Sequence, residues 1–228
     1  MGREVIRNGV WESNSSSEHV FIYKHDGEIE DVWKTGFFDK NGKLCLCDKC
    51  RGGFDRGPFE VLHTFTDKLA YAICDQIGFY CPYEEKFKEG FKEIEDLVTD
   101  IVPGCTGIDV CTEPVECYKD EDGNLINLCD LEWEGRDNSG EEIWTYQDEQ
   151  GKTHRAEFAG FMRLPDIGGV DHQSSGKLST FMRKQGITLR EFLTDTRYII
   201  LIDGDETAIF STMVELGLIN RDKMEYIY

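Results

Sequence analysis

The run Arg197-Tyr198-Ile199-Ile200-Leu201-Ile202 constrains this chain more than any other stretch. A strand with one wet face alternates apolar and polar side chains, whereas a near-continuous apolar run is the mark of a strand buried on both faces. Such a strand belongs inside a sheet that is covered above and below. It ends in Asp203-Gly204-Asp205-Glu206, and loops beyond the carboxyl end of a buried strand are a common place for ligands. Packed carboxylates at Asp203, Asp205 and Glu206 could hold magnesium or another divalent cation, or serve as a general base. The alternative is a plain turn, with Glu206 a favourable first-turn charge on a helix spanning Thr207 to Leu216.

Residues 66 to 102 supply the cover. Leu69, Ala70, Ile73 and Ile77 recur at helical spacing behind the capping residues Thr66 and Asp67, and Gly78 ends that helix. Pro82 suits the first position of a second helix. There Tyr83, Phe87, Phe91, Ile94, Leu97, Val98 and Ile101 form an apolar stripe opposite Glu and Lys. A structural helical hairpin over a sheet follows, with no chemistry expected from it. Lys177 to Lys184 reads as a short helix, Thr188-Leu189-Arg190-Glu191 as a capping box opening another, and Glu225 to Tyr228 as a terminal strand.

Two polar clusters stand out. Glu12-Ser13-Asn14-Ser15-Ser16-Ser17-Glu18-His19 lies between apolar, strand-like segments, Val5 to Val10 before it and Val20 to Tyr23 after it. It has none of the glycine or proline that an ordinary hairpin turn uses. Val170-Asp171-His172-Gln173-Ser174-Ser175-Gly176 is the second. In each, a histidine lies close to serines and a carboxylate. Histidine shuttles protons near neutral pH, and hydroxyls hold phosphate by hydrogen bonding. His19, His172 and Asp171 are therefore the candidates for acid–base work. Asn14, Ser15, Ser16, Ser17, Gln173 and Ser174 are the candidates for holding a phosphate-bearing, nucleotide-like ligand. Structural histidines in hydrogen-bonded loops are the competing explanation. Neither a Gly-x-Ser-x-Gly elbow nor a phosphate-binding glycine loop is present.

The phrase Glu12 to His19, followed by Val20-Phe21-Ile22, resembles the N-terminal signature of a group of uncharacterised bacterial and bacteriophage proteins. Their corresponding phrase has the form Glu-Thr-Asn-Ser-Ser-Ser-x-His, with Ser13 here in the threonine position. Asp171-His172-Gln173-Ser174 and Asp203-Gly204-Asp205-Glu206 resemble later motifs of that group. The resemblance covers both ends of the chain but not its middle. It implies a phage or bacterial cytoplasmic source and carries no activity.

Cys45-x-Cys47-x-x-Cys50 follows the turn Asp39-Lys40-Asn41-Gly42 and a returning strand. A Cys-x-x-Cys on a turn can point two thiolates at one tetrahedral ion, usually zinc, so residues 43 to 62 read as a metal-binding knuckle. Cys45, His63, Cys74 and Cys81 could complete it. Cys105, Cys111 and Cys117 match no common site, and small buried or incidental thiols are the alternative to metal binding at Cys47 and Cys50. A redox role is set aside because the motif does not open a helix after a strand.

The formal net charge of −20 argues against direct nucleic-acid binding, since phosphates repel such a surface. Much of that charge falls in an antiparallel β meander over 105 to 160, with turns at Glu121 to Asn124, Asn138 to Gly140 and Glu149 to Gly151. A surface of this kind suits a basic host protein, which it would bind and inhibit or redirect without any enzymatic step. Neither a signal peptide, a myristoylation motif nor a membrane span is legible, so the expected location is the cytoplasm. The expected architecture is one α+β domain over 1 to 228. It would have a mixed sheet built from both chain ends, a helical hairpin packed on it and the acidic meander as an insertion. The serine run, the Asp171-His172 loop and the Asp203 to Glu206 turn should then share one rim.

Overall fold

The computed structural model describes residues 18–24, 38–47, 54, 59–78, 80, 84–126, 130–170, 176–204, 213 and 224–226. The fold is α+β. Its central strand is the apolar run, β10 (Tyr198–Gly204), which pairs with β1 (Glu18–Lys24) on one side and β3 (Glu60–Leu62) on the other. A further strand, β11 (Met224–Tyr226), adds to the far side of β1, so segments from both ends of the chain do build the sheet. Expectation and structure differ in strand direction: every pair in this sheet is antiparallel, not mixed. The apolar run reflects a central position covered on both faces, which an antiparallel sheet provides equally well. Parallel pairing occurs instead between β2 (Leu44–Cys45) and β4 (Ile108–Asp109), and at the Phe54–Val170 bridge.

Tyr198, Ile200 and Ile202 join Val20, Ile22 and Leu62 in the main core, while Ile199 and Leu201 are buried on the opposite face. Four helices are described. The first, α1 (Phe65–Ile77), starts where the Thr64 hydroxyl accepts the Asp67 amide at 3.1 Å, and all its residues except Gln76 are buried. Its neighbour α2 (Glu85–Ile101) begins three residues after Pro82 and buries one face through Phe87, Ile94, Val98 and Ile101. The short α3 (Lys177–Gln185) and α4 (Leu189–Thr194) also pack on α1, and α4 opens with the expected Thr188–Glu191 capping box. Among the described residues no helix is long and apolar enough to cross a membrane.

Between α2 and α3 lie β5 (Thr112–Lys119), paired with β9 (Glu157–Pro165), and the three-stranded sheet β6 (Glu132–Arg136), β7 (Glu142–Gln147), β8 (Thr153–Arg155). The three turns expected here are built to one plan, which Asp39 to Lys43 repeats. Each is Asp-x-x-Gly-x, starting at Asp39, Asp120, Asp137 or Asp148. The aspartate amide donates to the carbonyl four residues on, and the glycine amide donates to the aspartate carbonyl. The carboxylate then accepts the amides two and four residues on. The glycines take φ between 76° and 89°, where a side chain is strained. These bonds hold all four carboxyls below their ordinary range. The Lys43 amide leads for Asp39, the Asn124 side chain for Asp120, the Ser139 hydroxyl for Asp137 and the Lys152 amide for Asp148.

Of the other sequence expectations, the first strand (Val5 to Val10) lies outside the described residues. Met213, within the expected last helix, is helical.

Candidate functional site

The antiparallel register of β1 and β10 sets His19 directly opposite Asp203, and Glu18 opposite Gly204. Two of the sequence-predicted site residues, over 180 positions apart in the chain, thus become neighbours at one end of the sheet. Asn14, Ser15, Ser16 and Ser17 lead into β1, and Asp205 and Glu206 follow β10; all six lie outside the described residues. So do Asp171, His172, Gln173 and Ser174, although both flanks of their loop are described. On one flank Gly169 accepts the Phe54 amide at 2.9 Å, and the Gly168 carbonyl crowds Gly78 so closely that a Cβ there would come within 2.7 Å. On the other flank Gly176 opens α3, which packs on β1.

Two buried charges on α1 tie the helices together, and the sequence reading missed both. The Lys68 ammonium donates to the Phe192 carbonyl at 2.9 Å and the Asp195 carbonyl at 3.0 Å, at the C-terminal end of α4. Burial pulls its pKa down to about 8, against the pull of Asp195. Asp75, further along α1, lies against the start of α3. Burial pushes its carboxyl up to about 6, opposed by the Leu178, Lys177, Gly176 and Ser179 amides. Neither oxygen meets those amides in good hydrogen-bond geometry. A cation at a helix C-terminus and an anion at a helix N-terminus are each favourable to the helix dipole. Beside Asp75, a cleft of about 600 Å³ opens between α1, α2 and α3, with Ile77, Leu97 and Met182 in its wall and Lys86 at its polar side. Among the described residues, none of the sequence-predicted site residues lines it.

The metal ligands assemble differently from the expected knuckle. Cys45 pairs with Asp109 in the parallel β2–β4 register, and the Leu46 amide extends the pairing by donating to the Asp109 carbonyl at 2.8 Å. Two positions on from this pair, Cys47 and Cys111 also lie close together. The ligand atoms of Cys45, Cys47 and Asp109 all lie within 4.8 Å of one another. The Cys111 thiol is close enough to raise the Cys47 pKa, after burial and ahead of Cys45. The described residues thus form a cluster able to hold a metal ion. Cys50 lies outside them, and His63 and Cys74 are not part of the cluster. Cys47 is itself helical, so the reason given above for setting aside redox chemistry fails. Its raised pKa still makes it a poor thiolate nucleophile. The signal in the sequence was the matched alternation of Cys45-x-Cys47 with Asp109-x-Cys111.

No protein-family model, curated protein or solved structure matches the chain.

Proposed function

We propose that the protein binds a phosphate-bearing small molecule, of nucleotide type, at the end of the central sheet where β1 begins and β10 ends. The observation that carries this reading is the register pairing of His19 with Asp203. It sets a histidine and an aspartate from two separate polar segments at paired backbone positions, with the serine run shortly before one and Asp205-Glu206 shortly after the other. A carboxylate end repels phosphate unless a divalent cation stands between them, so magnesium is part of the proposal. In this reading Ser15 to Ser17 and Ser174 hold the ligand, while His19 and His172 exchange protons with it. Hydrolysis or group transfer is the chemistry such a set can perform.

Thermal denaturation with a nucleotide panel, with and without magnesium, tests it. A ligand at a hundred times its Kd adds about 2.7 kcal/mol. For a chain of this size that raises Tm by roughly 5–10 °C. The shift should shrink in His172→Ala. A flat response across the panel in both conditions would sink the proposal.

The second element of the proposal is a structural zinc ion on Cys45, Cys47 and Asp109. Tetrahedral ligation by thiolate and carboxylate suits zinc. It would pin the strand after the first Asp-x-x-Gly turn to the strand after α2. Protein prepared without chelator should carry about one equivalent, and chelation should lower Tm because the ion is coupled to folding. Absence of zinc by elemental analysis overturns this element and leaves the ligand site untouched.

A further inference from the structure

Aromatic side chains form a ladder across the two acidic sheets. Phe161 meets Phe158 edge to face with ring centroids 5.4 Å apart, Phe158 meets Tyr118 at 5.8 Å, and Tyr118 meets Trp144 at 5.7 Å. Trp133 stands opposite Trp144 in the β6–β7 register. Tyr118 is buried in the middle, but Phe161 is 67% exposed, Trp133 58% and Phe158 52%. Single exposed aromatics are ordinary on a protein surface, whereas a connected row of them marks an interaction surface. A β-bulge with Gly160 at φ 115° lies between the two phenylalanines, and across the β5–β9 pair Phe158 stands opposite Tyr118 and Phe161 opposite Glu116.

The surroundings select the occupant. Glu116 accepts the Tyr118 hydroxyl at 2.8 Å, and Glu142 accepts the Trp144 indole N–H at 3.3 Å, so a carboxylate stands at each side of the ladder's centre. Residues 112–165 hold fourteen Asp and Glu against five Lys and Arg. Three of those five bases are already paired, Lys119 with Glu157, Arg136 with Glu142 and Arg155 with Asp137. The Arg136–Glu142 contact, at 2.9 Å, shows that one ladder carboxylate accepts a guanidinium. A second copy of the chain would bring the same negative surface against itself, which opposes self-association. A guanidinium satisfies every feature at once, because it stacks flat on aromatic rings and bonds carboxylates through its planar fork. An ammonium answers only the charge.

We propose that the Phe161–Phe158–Tyr118–Trp144–Trp133 ladder is a docking surface for an arginine-rich segment of a partner protein. This goes beyond the ligand site and the metal ion and depends on neither. Arginine side chains lie across Phe158 and Phe161 and pair with Glu116, which stands opposite Phe161, and the acidic turns around them speed encounter.

The test uses the full chain and two fluorescent peptides of equal length, oligoarginine and oligolysine, titrated at low and moderate salt. Oligoarginine should bind roughly tenfold more tightly than oligolysine, the margin that stacking adds to charge alone. The double variant Phe158→Ser/Phe161→Ser removes exposed rings only, and circular dichroism confirms that it is folded. It should lose that margin while keeping its weak affinity for oligolysine. Glu116→Gln should weaken oligoarginine binding more than Asp122→Asn, which removes equal charge at a turn. Equal affinity for the two peptides, unchanged by the serine variant, would mean diffuse acidic attraction and overturn the proposal. So would no binding of oligoarginine, or a concentration-dependent dimer abolished by the serine variant.

Discussion

Lys68 and Asp75 show how much one buried helix can settle through two side chains. Backbone groups answer each charge: Lys68 donates to the carbonyls that end α4, and Asp75 faces the amides that begin α3. A carboxyl whose pKa is raised on folding keeps a proton that the unfolded chain has already lost. Its contribution is therefore largest at low pH and falls as pH rises from the unfolded value near 4 to the folded value near 6. The shift is worth about 3 kcal/mol. Urea unfolding of Asp75→Asn should lack this decline, so the gap between variant and wild type should change by that amount between pH 4 and pH 7. Parallel pH profiles for the two proteins would show that Asp75 has an ordinary pKa. Lys68 works in the opposite direction. Its folded pKa of about 8 lies below the unfolded value, so stability is gained as pH rises from about 8 to about 10.5.

At the scale of elements, the meander depends on a turn that is fully local. In Asp137-Asn138-Ser139-Gly140-Glu141 the carboxylate organises two amides and the glycine takes φ 89°. A non-glycine residue in that region costs about 1–2 kcal/mol. Gly140→Ala should lower stability by that amount in urea titrations, and Gly140→Asn by less, since asparagine tolerates the left-handed region. Equal losses for the two would mean that the turn is held by something other than backbone conformation. These turns, the helical hairpin and the Thr188–Glu191 box were all legible in the sequence because each is decided within a few residues. Of the metal cluster, Cys45 and Cys47 were legible but Asp109 was not, since it lies more than sixty positions from Cys47 and meets it only through a two-residue parallel pairing. The aromatic ladder was hidden for the same reason. Phe158 and Phe161 look like core residues until the register shows which face of β9 they occupy.

For the molecule as a whole, the buried run at 198–202 announced a covered sheet, and Val20 to Tyr23 announced a strand near the start of the chain. The sheet does draw on both ends of the chain, as expected, and its register sets His19 opposite Asp203, a pairing that no feature of the sequence specified. Strand direction could not be read, because an interior strand is equally apolar in either arrangement. The sheet's construction from remote segments also bears on how the chain is made. Lys24 at the end of β1 faces Tyr198, 174 residues further on, and the other neighbour of β1, β11, is made later still. At synthesis rates of about 5–20 residues per second, that separation takes roughly 10–35 s to emerge. The helical hairpin and the meander can close on their own local contacts during this interval. Val20 and Ile22 cannot, and they stay without their strand partners until β10 leaves the ribosome.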